Sequence, residues 1–416
     1  MPAQEPDADV SSCFRGLKPE LLAELIPELL LCGHLIDRAG MPHAIGAFGR
    51  EGMGQVAIEE WRAASPVYSR RTLAALGIEH RDVRAIFKCL QHDIGAPPQF
   101  LDFRFTVHDE YGGEFTLPHC GALLDVEPMG EEFVVTMCHD IEDPTFDATA
   151  AAVNPRARIR PVHRPPRMPA DRSPHCHWTV TIDPDRESLP WPDEAADVER
   201  SQAARHPLTT DPGGPGESDY SGPLREDMDW SLFTPGLRAR IAEEVCLQWH
   251  LLSVGFARAV RRRTDEASAR ALLRRQLVGI GGLTSGRLRD FLGLPASADS
   301  VAAVLSVHPV LQPASYTGVS VSGDRIILDR ASPAQQDAGW LRLLLDDDLS
   351  PLEALVHGVA PTLTVRVEDD AVDRRVVRVV DTGEPRPEPA EVQLVRFSKG
   401  ADFSFEDRRL LPITPV

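Results

Sequence analysis

Lysine is nearly missing from this chain. Three lysines, at positions 18, 88 and 399, leave the other 41 of its 44 basic residues as arginine. That scarcity removes a Gly-Lys-Ser/Thr phosphate loop and leaves no lysine in an evident pocket context for a Schiff base. The motifs His-Glu-x-x-His, Gly-x-Ser-x-Gly and Gly-x-Gly-x-x-Gly are lacking too, so zinc-protease, hydrolase-elbow and dinucleotide-fold readings lose their usual support. No apolar run approaches the ~20 residues that span a bilayer. The opening "MPAQEPDADV" is acidic and proline-bearing, unlike a targeting segment. The expectation is a cytoplasmic protein that does not enter membranes. Clustered positive charge is also lacking. A formal charge of −19 and a pI near 5.2 argue against nucleic acid as a partner, and Arg261, Arg262 and Arg263 fall inside a helical pattern as a solvated face. Seven cysteines, an odd number, point to reduced thiols or metal ligands rather than a disulfide framework.

What the chain does contain is a repeat. "ELLLCGHLIDRAGMPHAI" (28–45) aligns with "EVCLQWHLLSVGFARAV" (244–260), pairing Glu28 with Glu244 and His34 with His250 at one offset, 250 − 34 = 216. The same offset pairs Ser69 with Ser285, Arg71 with Arg287, Gly77 with Gly293 and His92 with His308. Further on the offset drops to 206, pairing Asp140 with Asp346, Pro155 with Pro361 and Arg160 with Arg366, so the first copy carries ten more residues in its middle. The reading is two tandem homologous domains, 1–184 and 228–416, packed as an intrachain pseudo-dimer. Residues 185–227 join them, and the Pro/Gly/acid-rich stretch 206–227 has the composition of an exposed linker.

Periodicity sets the expected class as α+β, N-terminal helices packed on a mostly antiparallel sheet. Helices are expected over 19–36 with a kink at Pro27, over 50–63, over 69–76 stopped by Gly77, and over 81–91. "FRFTV" (103–107) is expected to turn through Gly112-Gly113 into "EFTL", with Ser322-Gly323-Asp324 as the counterpart turn. A strand at 133–138, a helix at 145–153 and strands near 157–162 and 176–182 complete the unit.

Histidine and cysteine concentrate in the first copy, which carries His108, His119, Cys120, Cys138, His139, His163, His175, Cys176 and His177. Beyond residue 309 the second copy has one histidine, His357, and no cysteine. A cluster that one copy folds without is available for binding or chemistry. The candidate metal ligands are Cys120, Cys138, His139, His175, Cys176 and His177, a set suited to zinc, with iron as the alternative. Strand alternation favours His175 and His177 with Cys138 and Cys120; the competing set is Cys120, Cys138 and Cys176 with His139. Asp140 and Glu142 could act as general base or orient a ligating histidine, and Arg164 could grip an anionic substrate. His34 and His250, kept by both copies, read as sharing a structural hydrogen bond. The expected function is a metal-dependent hydrolase or lyase acting on a small, anionic molecule. The alternatives are a ligand-binding or scaffolding protein with a structural zinc, and a thiol-based redox sensor.

Overall fold

The computed structural model describes residues 13–396; the acidic N-terminus (residues 1–10) and Lys399 lie outside them. The fold is α+β. It opens with α1 (Pro19–Ala75), a 57-residue helical run. Three prolines lie inside it, yet the break falls at Gly49, where φ is +72° and ψ 178°, and not at the expected Pro27. A proline removes one helical hydrogen bond but keeps a helical φ, whereas a left-handed φ demands a residue without a Cβ. The expected gap at 64–68 between two helices is likewise continuous helix.

After α2 (Val83–Leu90), capped by the Asp82 carboxylate, β1 (Arg104–Val107) pairs with β2 (Gly112–Leu117). Here the turn is formed by residues 108–111, and Gly112 and Gly113 belong to the strand. Gly113 is needed for approach: a Cβ there would come within 2.8 Å of Thr106 O and Val83 Cγ1, where α2 crosses the strand. Next come α3 (Gly121–Val126), α4 (Glu131–Val135), a π-helical turn (Thr136–Ile141) and α5 (Glu142–Val153). The expected strand at 133–138 is therefore helix. Phe133, Val135 and Met137 alternate, but Phe133, Met137, Ile141 and Thr145 also recur every four residues, and Glu131 and Glu132 in the first turn suit a helix N-terminus. β3 (Ala157–His163) and β4 (Cys176–Ile182) finish an antiparallel sheet in the order β1-β2-β4-β3.

Residues 185–227 contain the short helices α6 (Asp193–Val198) and α7 (Gln202–Arg205). Most of 206–227 is exposed, but Tyr220 is buried, donating its hydroxyl to Gln91 Oε1 at 3.0 Å while its carbonyl accepts from Lys88 Nζ at 2.7 Å. The second half runs α8 (Pro235–Arg261), α9 (Glu266–Phe291), α10 (Val301–Ser306), α11 (Ala314–Thr317), β5 (Val319–Ser322) and β6 (Arg325–Asp329). Then follow α12 (Ser350–Val359), β7 (Leu363–Asp370), β8 (Arg374–Asp381) and α13 (Ala390–Arg396). Its sheet has the order β5-β6-β8-β7. The boundary between α8 and α9 is the N-cap Asp265, whose side chain accepts from Ser268 N, 216 residues after Gly49 (265 − 49 = 216).

One hydrophobic core extends through both halves. Its spine is α1 against α8. Gly255 on α8 lets the helices close, since a Cβ there would lie 2.8 Å from Glu60 O. Among the ion pairs that cross the interface, two join repeated positions. Arg71 Nε and Nη2 donate to Glu244 at 2.8 and 2.7 Å, and Arg287 Nε and Nη2 donate to Glu28 at 2.6 and 3.0 Å. Gln248 on α8 also clamps the first half's backbone, accepting from Ile94 N at 3.0 Å and donating to His92 O at 2.8 Å. Among the described residues no helix is long and apolar enough to cross a membrane.

Candidate functional site

A cavity of about 730 Å³ lies in the first half, with Leu394 of α13 reaching its lining from the second. The segment of α1 before Gly49 supplies His34, Asp37 and Met41, and the segment after it supplies Met53, Ala57, Trp61 and Tyr68. The opposite wall is the face of the π turn and α5 that carries Met137, Cys138, Ile141, Glu142, Thr145 and Thr149. Cys176 and Trp178 of β4 form the floor, and α3 closes the roof through Ala122, Leu123 and Val126. Most of this lining is apolar, and close-packed interiors rarely leave such a space. The titratable groups sit at two ends.

At one end Cys120, Cys138, Cys176, Glu142 and His175 face the space. Burial raises all three thiols, Cys120 to about 12, and each of Cys138 and Cys176 is raised further by a neighbouring thiol and by Glu142. Thiols so placed are protonated and weakly nucleophilic. Burial, then the charge of Asp143, pushes Glu142 up to about 8 against the opposing pull of Arg164. Burial holds His175 neutral, its pKa lowered to about 4.

At the other end Asp37 accepts from Trp61 Nε1 at 2.7 Å through one oxygen. Its Oδ1 is buried without a hydrogen-bond partner, as are both carboxyl oxygens of Glu60, which is fully buried within electrostatic reach of Asp37 but does not line the cavity. Asp93 accepts from Tyr68 Oη at 2.7 Å and from Gly95 N at 2.6 Å. Burial lifts Asp37 to about 7 and Asp93 to about 6, and it raises Glu60, with Asp37 adding to the effect.

The expected site residues therefore divide. Cys120, Cys138, His175 and Cys176 gather at the cavity. His139 does not, its Nε2 meeting Pro165 O at 2.7 Å. Nor does His177, whose Nε2 lies 2.9 Å from Glu114 Oε2 on the outer face of the sheet. Among the described residues no group of three or more His, Cys, Asp and Glu side chains is arranged to hold a metal ion. Of the two candidate acid–base groups Glu142 lines the cavity, while Asp140 is exposed. Arg164 is paired with Asp143, its guanidinium carbon 5.6 Å from the centre of the Trp178 ring. His34 and His250 each hydrogen-bond to backbone, His34 with Ile94 and His250 with Gln312 O at 2.9 Å, and only His34 also borders the cavity.

Asp37, Glu60 and Asp93 went unnoticed in the sequence although a signal existed. Asp37 interrupts the apolar "LLLCGHLI" helix, and one offset later these three positions carry Ser253, Gln276 and Pro309. Compared with protein-family models, curated proteins and solved structures, the chain matches none.

The raised Glu142 carries a pH signature. Near and below pH 4.5 the folded and unfolded chains both hold the proton; as pH rises the unfolded chain ionises first, and stability falls until the folded group ionises near pH 8. Glu142→Gln removes that loss. Relative to the parent, the variant should gain on the order of 1–3 kcal/mol between pH 4.5 and pH 8 in chemical denaturation; an unchanged difference would place an ionised Glu142 in the folded protein.

Proposed function

We propose that the chain is a fused duplication of one α+β unit, 1–184 and 228–416, and that its first unit holds a small, largely apolar molecule in the cavity. The observation that carries the binding reading is the cavity, a volume within the range that encloses drug-sized ligands, with a mostly apolar lining. The duplication is supported by the matching strand orders and by helix breaks at Gly49 and Asp265. The two ion pairs support a pseudo-twofold packing, because Glu28 and Glu244 are one repeated position, Arg71 and Arg287 are another, and each pair crosses between halves. In the second unit the space is taken by side chains: Trp340 is fully buried and donates Nε1 to Gln276 Oε1 at 3.0 Å. The acidic ends favour a neutral or cationic molecule over the anionic one that Arg164 suggested.

The test is a titration with N-phenyl-1-naphthylamine, a neutral apolar fluorophore. It should bind once per chain, and Ala57→Phe, which projects a ring into the cavity from α1, should weaken it at least tenfold with the circular dichroism unchanged. Equal binding by both proteins would remove the cavity from the account.

A second reading keeps the metal. Cys120, Cys138 and Cys176 lie within electrostatic reach of each other and of Glu142, a donor set of the kind zinc or iron uses in metal-dependent hydrolases or lyases and in structural sites. Elemental analysis of the same preparations separates the readings: one zinc or iron per chain supports this one.

A further inference from the structure

We propose that the acid end of the cavity, Asp37 with Glu60 and Asp93, seats a protonated amine, so that the molecule held in the first half is an amphipathic amine. The inference rests on the cavity being a binding site and adds the class of ligand.

Three unfilled acceptors carry it. Asp37 lines the cavity with Oδ1 lacking a partner, and both oxygens of Glu60, fully buried off the lining but within electrostatic reach of Asp37, lack one as well. A buried polar atom without a partner costs about 1–3 kcal/mol, and gathering several in one place is unfavourable unless something completes them. An ammonium group brings three donors and a positive charge, which is what this set is short of. Among the described residues neither Asp37 nor Glu60 has a cationic partner: Arg38, the next residue along, pairs with Asp125, and burial keeps His34 neutral. Trp61 and Tyr68 add aromatic surface of the kind that favours a cation beside it. An anion at this end would face the Asp37 and Asp93 carboxyls, and Arg38, the arginine on the lining, is already paired with Asp125.

The proton balance is simple. Burial disfavours charge on these carboxyls, so in the empty site they hold protons to higher pH than ordinary carboxyls do. When an ammonium enters, one carboxyl gives its proton to solvent and the resulting pair is neutral. The second half again serves as contrast, for it has Ser253, Gln276 and Pro309 at the three positions, and Gln276 there is bonded to the buried Trp340.

The experiment displaces bound N-phenyl-1-naphthylamine from the full chain with decylamine, decanol and decanoic acid, each below its micelle concentration. The amine should displace at a concentration at least tenfold lower than the alcohol, with the acid weakest. Asp37→Asn should reduce the amine-to-alcohol ratio to near one while decanol displaces as before, and Glu60→Gln should act in the same direction if Asp37→Asn does not fold. Equal displacement by amine and alcohol, or none by any of the three, overturns the amine while the bound fluorophore leaves the cavity intact. If the fluorophore itself does not bind, the cavity reading falls and takes this inference with it.

Discussion

Arg71→Met should lower the stability of the chain by about 3–5 kcal/mol, read as a shift in guanidinium denaturation followed by circular dichroism. Arg71 and Glu244 are only 11% and 7% exposed at their side chains, so removing one partner strands the other in a low-dielectric interface. Burial already raises the Glu244 pKa even with Arg71 beside it. Arg71 Nη1 also donates to Ala204 O and His206 O, both at 2.8 Å, and these carbonyls lose a donor in the same step. The reciprocal Arg287→Met should cost less, since the Arg287 side chain is 32% exposed and water can reach what it leaves. Replacing both members, Arg71→Met with Glu244→Leu, should recover more than half of the loss, because no charge then remains buried. A single variant within 1 kcal/mol of the parent would mean that the Arg71–Glu244 pair contributes little to the strength of the interface.

Trp340→Ala should be comparably costly and should add a binding site. A fully buried tryptophan cut to alanine loses about 3–5 kcal/mol through lost transfer energy and the void left behind. The variant also leaves Gln276 Oε1 without its donor. If Trp340 fills the space that lies open in the first half, the hole admits N-phenyl-1-naphthylamine, and the stoichiometry rises from one to two per chain. A large loss of stability with the stoichiometry still at one would mean that the neighbouring side chains collapse into the hole.

Much of the fold could be read from periodicity. β3, β4, α5 and the β5–β6 turn fall close to where alternation and turn chemistry put them, because each is a half-buried element with a regular period. The segment 133–138 failed because six residues suit both periods, and only its continuation through Ile141 and Thr145 reveals the helical one. The site was half legible. Alternation along β4 correctly put Trp178 and Val180 on the inner face, which puts Cys176 there too, but the search for a site favoured the polar face with His177. A cavity inside the core reverses that preference, since its ligating or binding groups share the face of the apolar residues. Nothing in the local pattern of β4 announces a void, because the void is made by the distance between α1 and the helix that follows the π turn.

The clamp made by Gln248 ties the two halves thermodynamically. Its amide grips the backbone on either side of Asp93, so the acid end of the cavity is held in place by a helix of the other half. Free energy gained by filling that end therefore does not stay local. To release Asp93 the chain must also free α8, and opening α8 breaks the Arg71–Glu244 pair and the shared core. The second half thus acts as the rigid backing that sets how much the first must unfold before it lets a bound molecule go.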